Sequence, residues 1–354
     1  MSTVCIFRRD LNFAKPARTS RGVYTTRPAW FIVYMPDFES RKICVGEVAP
    51  LYDLSPEYHA EFEHDVIAYA KQMETISLVE LSATCKASSI RFAIDCIIRQ
   101  NDQLARAQEP PLYPPIPING LVWMGTEEEM RQRIRRKLDD GFDCIKLKIG
   151  GIDFEAELRL LHLLRKEADP ALCIRLDANG AWDTYDSAMK HLDALAAFRI
   201  HSIEQPIRAQ NEELSAKVSQ ESPIPIALDE ELIGIRTIED KQELLASIKP
   251  SFIVLKPSLH GGLSGAQEWI EAAEQHGVEY WCTSALESNI GLSALAEWIL
   301  PRRPILAQGL GTGDLFTNNF TPFHRLERGA FHLLHPAIYS LQDFKSDRLV
   351  YGTL

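Results

Sequence analysis

The sequence predicts an α/β fold, a modified (β/α)7β barrel with an N-terminal α+β capping domain. The 354 residues exceed one ordinary domain but fit a barrel of roughly 200 to 250 residues with a smaller companion. Strand-like alternation dominates the first 53 residues, whereas short apolar runs alternate with helical segments after residue 116. Such β-α alternation is typical of a parallel sheet.

The composition favours a globular protein with a small-molecule ligand. Hydrophobic residues make up 45% of the chain and charged residues 25%, which suffices for a sizeable core. The net charge of −11 disfavours nucleic acid and anionic membranes as partners. Seven scattered cysteines without a C-x-x-C pair, and a start without an apolar signal segment, predict a cytoplasmic protein. The sequence leaves the oligomeric state open.

The first third carries the signals of a small antiparallel sheet followed by two helices. Alternating runs predict strands at 4–7, 29–34 and 43–47, and apolar faces predict helices after Ser55 and around 90–98. Residues 108–120 contain five prolines and mark a domain boundary. We therefore expect a capping domain over 1–115, a barrel over 116–319, and a tail over about 320–354 that packs on the capping domain.

Eight apolar runs predict the barrel strands. They lie at 117–124, 143–149, 173–177, 200–204, 225–229, 251–256, 278–283 and 304–308. Helical patterns between them include 127–138, 155–166, 187–197 and 265–276. Because no ordinary amphipathic helix pattern follows the eighth run, we expect the last helix to be missing or rebuilt.

Charged residues stand at or near the C-terminal ends of the second to sixth predicted strands. Lys148, Asp177, Glu204, Asp229 and Lys256 follow one another at intervals of 29, 27, 25 and 27 residues. One βα unit takes roughly 30 residues, so these side chains are expected at one height around the barrel mouth. Singly, the aspartates could be helix N-caps, and the glutamate and lysines could face solvent. Because all five residues recur at about the length of one βα unit, they are expected to form one shared site.

The carboxylates Asp177, Glu204 and Asp229 predict a metal site. No cysteine or histidine spacing accompanies them, which favours a hard cation that keeps open positions. We therefore expect Mg²⁺ as the cofactor, with Mn²⁺ as a substitute.

Two lysines and an arginine share the predicted inner face of the barrel with these carboxylates. Lys146 and Lys148 are two residues apart, so both are expected to point into the barrel. The like charge of Lys146 is expected to lower the pKa of Lys148, which would then act as a base. Arg175 is expected either to clamp a substrate carboxylate or to pair with the metal ligand Asp177.

The set Lys146, Lys148, Asp177, Glu204, Asp229 and Lys256 resembles the enolase superfamily, in particular its muconate-lactonizing-enzyme subgroup. The resemblance covers nearly the whole chain and includes the motifs at 175–179, 203–206 and 228–230. It implies a magnesium-dependent lyase with a lysine on each face of a small carboxylate substrate. Lys148 would remove a proton, and Lys256 would stabilise the intermediate.

Three further segments resemble the branch of the subgroup that dehydrates a cyclohexadiene carboxylate to an aromatic acid in menaquinone biosynthesis. These segments are 46–51, 284–289 and 309–316. The resemblance implies substrate contacts at Arg175, Asn179, Ser284, Glu287, Ser288, Gly311 and Thr312. A basic loop over 14–27 resembles the family's mobile cap, and a plain solvated loop would explain its charges equally well.

Two other functions remain open at this point. Lysines on both faces also suit a racemase of N-acylamino acids or an epimerase of dipeptides. The fold could also serve a non-catalytic binding protein, although none of the ligands or lysines is missing.

Overall fold

The computed structural model describes residues 3–19, 22–36, 42–106 and 114–353. Arg21 of the basic loop and residues 108–113 of the proline-rich segment lie outside these ranges. Within them, no helix has the length and apolar character needed to cross a membrane.

A four-stranded antiparallel sheet forms the N-terminal unit. Its strands are β1 (Thr3–Thr19), β2 (Gly22–Met35), β3 (Cys44–Val48) and, from the end of the chain, β14 (Arg348–Tyr351). They lie in the order β14-β1-β2-β3. The last strand therefore completes a sheet that the first residues begin.

Three helices cover one face of this sheet: α1 (Phe62–Met73), α2 (Leu78–Thr84) and α3 (Ser88–Arg106). Helix α3 lies so close to β3 that a Cβ atom on Gly46 would be 2.3 Å from the carbonyl oxygen of Ala93. Only glycine permits this approach of helix backbone to strand backbone. The resulting core buries apolar side chains from both layers.

Seven parallel strands form the barrel wall. They are β5 (Gly120–Val122), β6 (Cys144–Lys148), β7 (Cys173–Asp177), β8 (Ser202–Glu204), β9 (Ile226–Leu228), β10 (Phe252–Leu255) and β11 (Glu279–Cys282). Each pairs with its neighbours in chain order. Parallel bridges from Ile118 to Gln308 and from Thr283 to Gly309 close the ring. The predicted eighth strand at 304–308 is thus reduced to bridges at Gln308 and Gly309.

Seven helices surround the barrel. They are α4 (Glu127–Asp139), α5 (Phe154–Glu167), α6 (Tyr185–Ala196), α7 (Glu212–Glu221), α8 (Ile238–Ile248), α9 (Gly262–His276) and α10 (Asn289–Ile299). After Arg303, the described residues contain no α-helix. Instead, β12 (His324–Glu327) and β13 (Ala330–Leu333) form a small sheet with β4 (Ile116–Pro117) at the entry to the barrel. The predicted α/β barrel with an α+β cap is confirmed.

The N-terminal sheet packs over the mouth of the barrel. Phe31 of β2 stacks edge-on against Phe320, with ring centroids 4.8 Å apart. The backbone N–H of Ala14 in β1 donates to the carbonyl of Leu315, at 2.8 Å. The long β1–β2 hairpin is therefore tied to the segment that follows the barrel closure.

Candidate active site

The strand register brings the predicted charged residues to one height. Lys148 at the end of β6 pairs with Asp177 of β7, and Asp177 pairs with Glu204 of β8. Asp229 and Lys256 directly follow β9 and β10. All five side chains therefore meet at the carboxyl ends of the parallel strands.

Lysine ammonium groups contact each of the three carboxylates. Lys146 Nζ lies 2.6 Å from Glu204 Oε2 and 2.8 Å from Asp177 Oδ2. Lys148 Nζ lies 3.0 Å from the same Asp177 oxygen. Lys256 Nζ donates to Asp229 Oδ2. The positive charge of the lysines thus balances the carboxylates inside the barrel.

The pKa values of the site follow from burial and these pairs. Burial alone would raise the pKa of Asp177, but two adjacent ammonium groups lower it. Burial raises the pKa of Glu204, and the neighbouring Asp177 charge adds to that rise. Burial would lower the pKa of Lys146, yet the surrounding carboxylates raise it. Lys146 is therefore a charged partner of the carboxylates.

The donor chemistry of the three carboxylates fits a hard divalent cation. Glu204 Oε1 and Asp229 Oδ1 are buried and have no hydrogen-bond partner among the described residues. Unpaired buried carboxylate oxygens are costly unless a cation meets them. No group of three or more acidic, histidine or cysteine side chains forms a ready metal site in the described ranges. One oxygen of each carboxylate contacts a lysine, and Oδ1 of Asp177 accepts the backbone N–H of Asn179 at 3.2 Å.

A cavity at the barrel mouth adjoins this cluster and is covered by the cap. Charged residues and glycines of the barrel line its sides, and residues of the N-terminal cap cover it. The predicted site residues along it are Lys146, Lys148, Asp177, Asn179, Lys256, Ser284, Gly311 and Thr312. The roof comes from Tyr24, Leu51, Asp53 and Leu54.

Three predicted substrate contacts lie away from the cavity. The guanidinium of Arg175 donates to the carbonyl of Ala307 at 2.7 Å and stacks 3.8 Å from the ring centroid of Trp281. It lies deeper in the barrel because Arg175 precedes Asp177 by two residues on β7. Arg175 does not line the cavity, and among the described residues it forms no ion pair with Asp177.

Glu287 and Ser288 support the loop behind Ser284 instead of lining the cavity. Glu287 accepts hydrogen bonds from the hydroxyl of Ser284 and the N–H of Ala285, each at 2.8 Å. Ser288 is the N-cap of α10, and its own N–H donates to Glu47 of the cap at 2.8 Å. These two residues fix the shape of the cavity wall.

Sequence reasoning missed three residues that organise the site. Gln205 Oε1 accepts the N–H groups of Asp229 and Glu231, at 3.0 and 3.2 Å, and so fixes the backbone that carries Asp229. Glu230 accepts from Asn179 Nδ2 at 3.1 Å, and the ring of Trp123 lies 5.9 Å from Lys148 Nζ. Gln205 and Glu230 directly follow the predicted metal ligands Glu204 and Asp229. This position next to a ligand is the sequence signal that could have identified them.

Backbone strain marks the mouth of the barrel. Asn179, Gln205 and Leu286 have φ values of 46°, 42° and 66°, in the left-handed region. Non-glycine residues pay roughly 1–2 kcal/mol for this conformation. All three follow strand ends at the site, which is where such strain concentrates in proteins that bind or transform ligands.

The helix N-cap explanation is wrong for Asp177, and Asp229 stands at the N-cap position of the short 3-10 helix Glu230–Leu232 without a capping bond from its side chain. Thr184 caps α6 through a bond from the N–H of Ser187, and Thr237 caps α8 through a bond from the N–H of Asp240. Asp177 and Asp229 are buried within the barrel instead, with exposed fractions of 1% and 0%.

Comparisons with known proteins agree with this geometry. A family model described as enolase C-terminal domain-like matches residues 129–334. An o-succinylbenzoate synthase from Desulfotalea psychrophila is 38% identical, and the alignment covers 88% of this chain and 94% of that protein.

Solved structures of related enzymes have the same fold as this chain. A crystal structure of MenC from Desulfotalea psychrophila has a TM-score of 0.78 at 33% identity and covers 94% of this chain and 99% of its own. A dipeptide epimerase from Cytophaga hutchinsonii, complexed with Mg and D-Ala-L-Val, has a TM-score of 0.82 at 21% identity, with 98% of each chain covered. At that identity the second likeness shows the fold alone.

Proposed function

The chain belongs to the enolase superfamily, and on that premise we propose that it catalyses the o-succinylbenzoate synthase reaction. The substrate would be 2-succinyl-6-hydroxy-2,4-cyclohexadiene-1-carboxylate, and the products o-succinylbenzoate and water. The observation that carries the proposal is the pair Lys148 and Lys256, which line one cavity together with Asp177 and lie at the ends of β6 and β10, four strands apart in the barrel. The relative at 38% identity over most of both chains supports this reaction.

Asp177, Glu204 and Asp229 would hold Mg²⁺, or Mn²⁺ as a substitute. Buried oxygens of Glu204 and Asp229 have no hydrogen-bond partner in the described part of the chain, and the same holds for one oxygen of the adjacent Glu230. A divalent cation held there would supply Lewis-acid stabilisation of negative charge on the substrate carboxylate, by several kcal/mol.

Lys148 would remove the proton on the carbon next to the ring carboxylate. Its Nζ is held by Asp177 Oδ2 and by Asn179 Oδ1, at 3.0 and 2.7 Å, which orients it toward the cavity. The electron pair of the broken C–H bond forms the new ring double bond, and the C–O bond breaks. Lys148 returns the proton to the departing hydroxide, which leaves as water.

Lys256 would stabilise the developing negative charge from the other face. Its ammonium is paired with Asp229, and nearby carboxylates raise its pKa although burial opposes them. A group that stays protonated suits electrostatic stabilisation better than proton abstraction. In this proposal, Lys256 stabilises charge and Lys148 transfers the proton.

The proposal also includes a cellular compartment and a class of ligand. All seven cysteines are free, which suits a reducing compartment, and we place the protein in the cytoplasm. Its partner would be a small carboxylate.

A turnover assay tests the proposal. Purified protein with Mg²⁺ should convert the cyclohexadiene substrate to o-succinylbenzoate, followed by ultraviolet absorbance and mass spectrometry. The absence of product under conditions where a known synthase forms it would reject the proposed reaction.

Racemisation or epimerisation is the second candidate, because a lysine on each face also suits proton transfer in both directions. The fold match to a dipeptide epimerase keeps this candidate open. Solvent deuterium exchange separates the two functions. Exchange at the α-carbon of N-succinyl amino acids or dipeptides, without turnover of the cyclohexadiene, would favour the racemase or epimerase.

A further inference from the structure

A second cavity lies between the cap and the barrel, and it shares no lining residue with the candidate active site. Its volume is about 510 Å³. Small-molecule sites commonly measure roughly 300–1,000 Å³. Its walls are the end of α2, the start of α3, the loop at 234–237 and the turn at 259–261.

Within the described ranges, two buried nitrogen donors on these walls have no hydrogen-bond partner. His260 is 1% exposed, and its Nδ1 accepts the backbone N–H of Lys256 at 3.0 Å. Burial holds the pKa of His260 well below its ordinary value, so the ring is neutral and its proton lies on Nε2. Neither His260 Nε2 nor Arg91 Nε has a hydrogen-bond partner among the described residues. Leaving a buried donor without a partner is energetically unfavourable.

The charge of the cavity favours an anion. Its lining contains the cations Lys86, Arg91, Arg236 and Lys241 against the carboxylates Glu57 and Glu268. Glu268 contacts Lys241 at 2.5 Å and Arg91 at 3.7 Å. Lys86 and Arg236 are exposed and form no ion pair with any described residue. This positive excess stands out in a chain with a net charge of −11.

We propose that this cavity binds a small molecule carrying an oxyanion group, either a carboxylate or a phosphate. His260 Nε2 and Arg91 supply buried donors, and Lys86 and Arg236 supply positive charge at the mouth. Donors and cations together, with the two carboxylates already engaged by protein groups, suit an anionic ligand. Through its Nδ1 bond, His260 also links this site to the backbone of Lys256.

Calorimetric titration of the full chain tests the site with defined probes. Sodium phosphate and sodium succinate are titrated separately, without Mg²⁺ and at constant ionic strength set by sodium chloride. We expect saturable binding of at least one anion, and the tighter of the two identifies the oxyanion group. An absence of saturable binding by both anions would overturn the proposal.

Matched double variants locate the binding. The variant K86A/R236A removes the two exposed cations, whereas R136A/K166A removes two exposed cations from α4 and α5 on the outside of the barrel. We expect the dissociation constant to rise at least tenfold in K86A/R236A and to stay within twofold in the control. Equal affinity in all three proteins would place the anion elsewhere.

The buried Nε2 of His260 can be monitored independently of the surface charges of Lys86 and Arg236. Long-range ¹H–¹⁵N spectra of the histidine rings, assigned with a His260→Gln variant, report the Nε2 environment. Saturation with the binding anion should shift the His260 Nε2 resonance. An unchanged resonance at saturation would contradict a role for His260.

Discussion

Lys146, Lys148 and Lys256 each contact a strand-end carboxylate, and this pairing defines the site at the scale of single residues. Lys146 joins Asp177 to Glu204, while Lys148 and Lys256 contact Asp177 and Asp229. A buried charge without a partner is costly, so the cluster is stable only because both signs are present. A divalent cation would change this balance and free the lysines to face a substrate.

Lys148→Ala and Lys256→Ala should each lower kcat by about 10²- to 10⁴-fold, since each removes a group that acts on the transferred proton or the developing charge. Steady-state kinetics with the cyclohexadiene substrate measures the loss, and circular dichroism checks the fold. Lys190→Ala, on the exposed surface of α6, is the matched control. Full activity in both site variants would contradict the assigned roles.

Arg175→Met should reduce stability with little effect on substrate affinity. It removes the bond to the Ala307 carbonyl and the stacking on Trp281, both inside the barrel. We expect the free energy of unfolding to fall by about 1.5–3 kcal/mol and KM to stay within about twofold. Denaturant unfolding and kinetics measure the two quantities. A tenfold rise in KM with unchanged stability would contradict this prediction and indicate that Arg175 binds the substrate carboxylate.

At the scale of elements, the loop after β6 is held by a buried carboxylate from α5. Glu157 accepts the N–H of Gly150 at 2.6 Å, just past Lys148, and is only 2% exposed. Burial raises the pKa of Glu157 to about 7, although backbone N–H groups oppose the shift. The folded state therefore favours the protonated acid at mildly acidic pH.

This raised pKa predicts a pH dependence of stability. Between about pH 4.5 and 7 the folded state binds more protons than the unfolded state, so the stabilisation from this group is lost as the pH rises through that window. Glu157→Gln does not titrate, so its stability relative to wild type should rise by about 3 kcal/mol across the window. Urea unfolding at several pH values measures the difference. Parallel pH curves for the two proteins would refute this prediction.

The barrel elements were predictable from sequence because their signals are local. The run at 173–177 matches β7 residue for residue, and turn-forming residues lie on either side of it, Asp169-Pro170 before and Asn179-Gly180 after. The run at 304–308 failed as a strand because only Gln308 and Gly309 form bridges, and Ile305 is 94% exposed. Apolar composition alone could not show that this side chain faces outward.

At the scale of the whole molecule, contacts between distant segments decide what the sequence could not reveal. Glu47 of β3 accepts the N–H groups of Ser288 and Gly291, each at 2.8 Å, and so joins the cap to α10. No local pattern connects residues more than 240 positions apart. The roles of Glu287 and Ser288 as loop supports therefore emerged only from the structure.

Removal of the metal should act on the whole protein as well as on its activity. EDTA should abolish turnover, and excess Mg²⁺ should restore it. Because Mg²⁺ binds the folded site, saturation at about 100 times its Kd should add about 2.7 kcal/mol of stability. Thermal unfolding with and without Mg²⁺ measures this, and Asp177→Asn should remove most of the effect. Equal stabilisation of wild type and variant would place the metal elsewhere.

We propose that residues from five successive βα units form one metal and proton-transfer site. A crystal structure with Mg²⁺ and o-succinylbenzoate tests it most directly. We predict Mg²⁺ about 2.0–2.1 Å from oxygens of Asp177, Glu204 and Asp229, with Lys148 and Lys256 on opposite faces of the product ring. A metal bound away from these carboxylates, or both lysines on one face of the ring, would contradict the account.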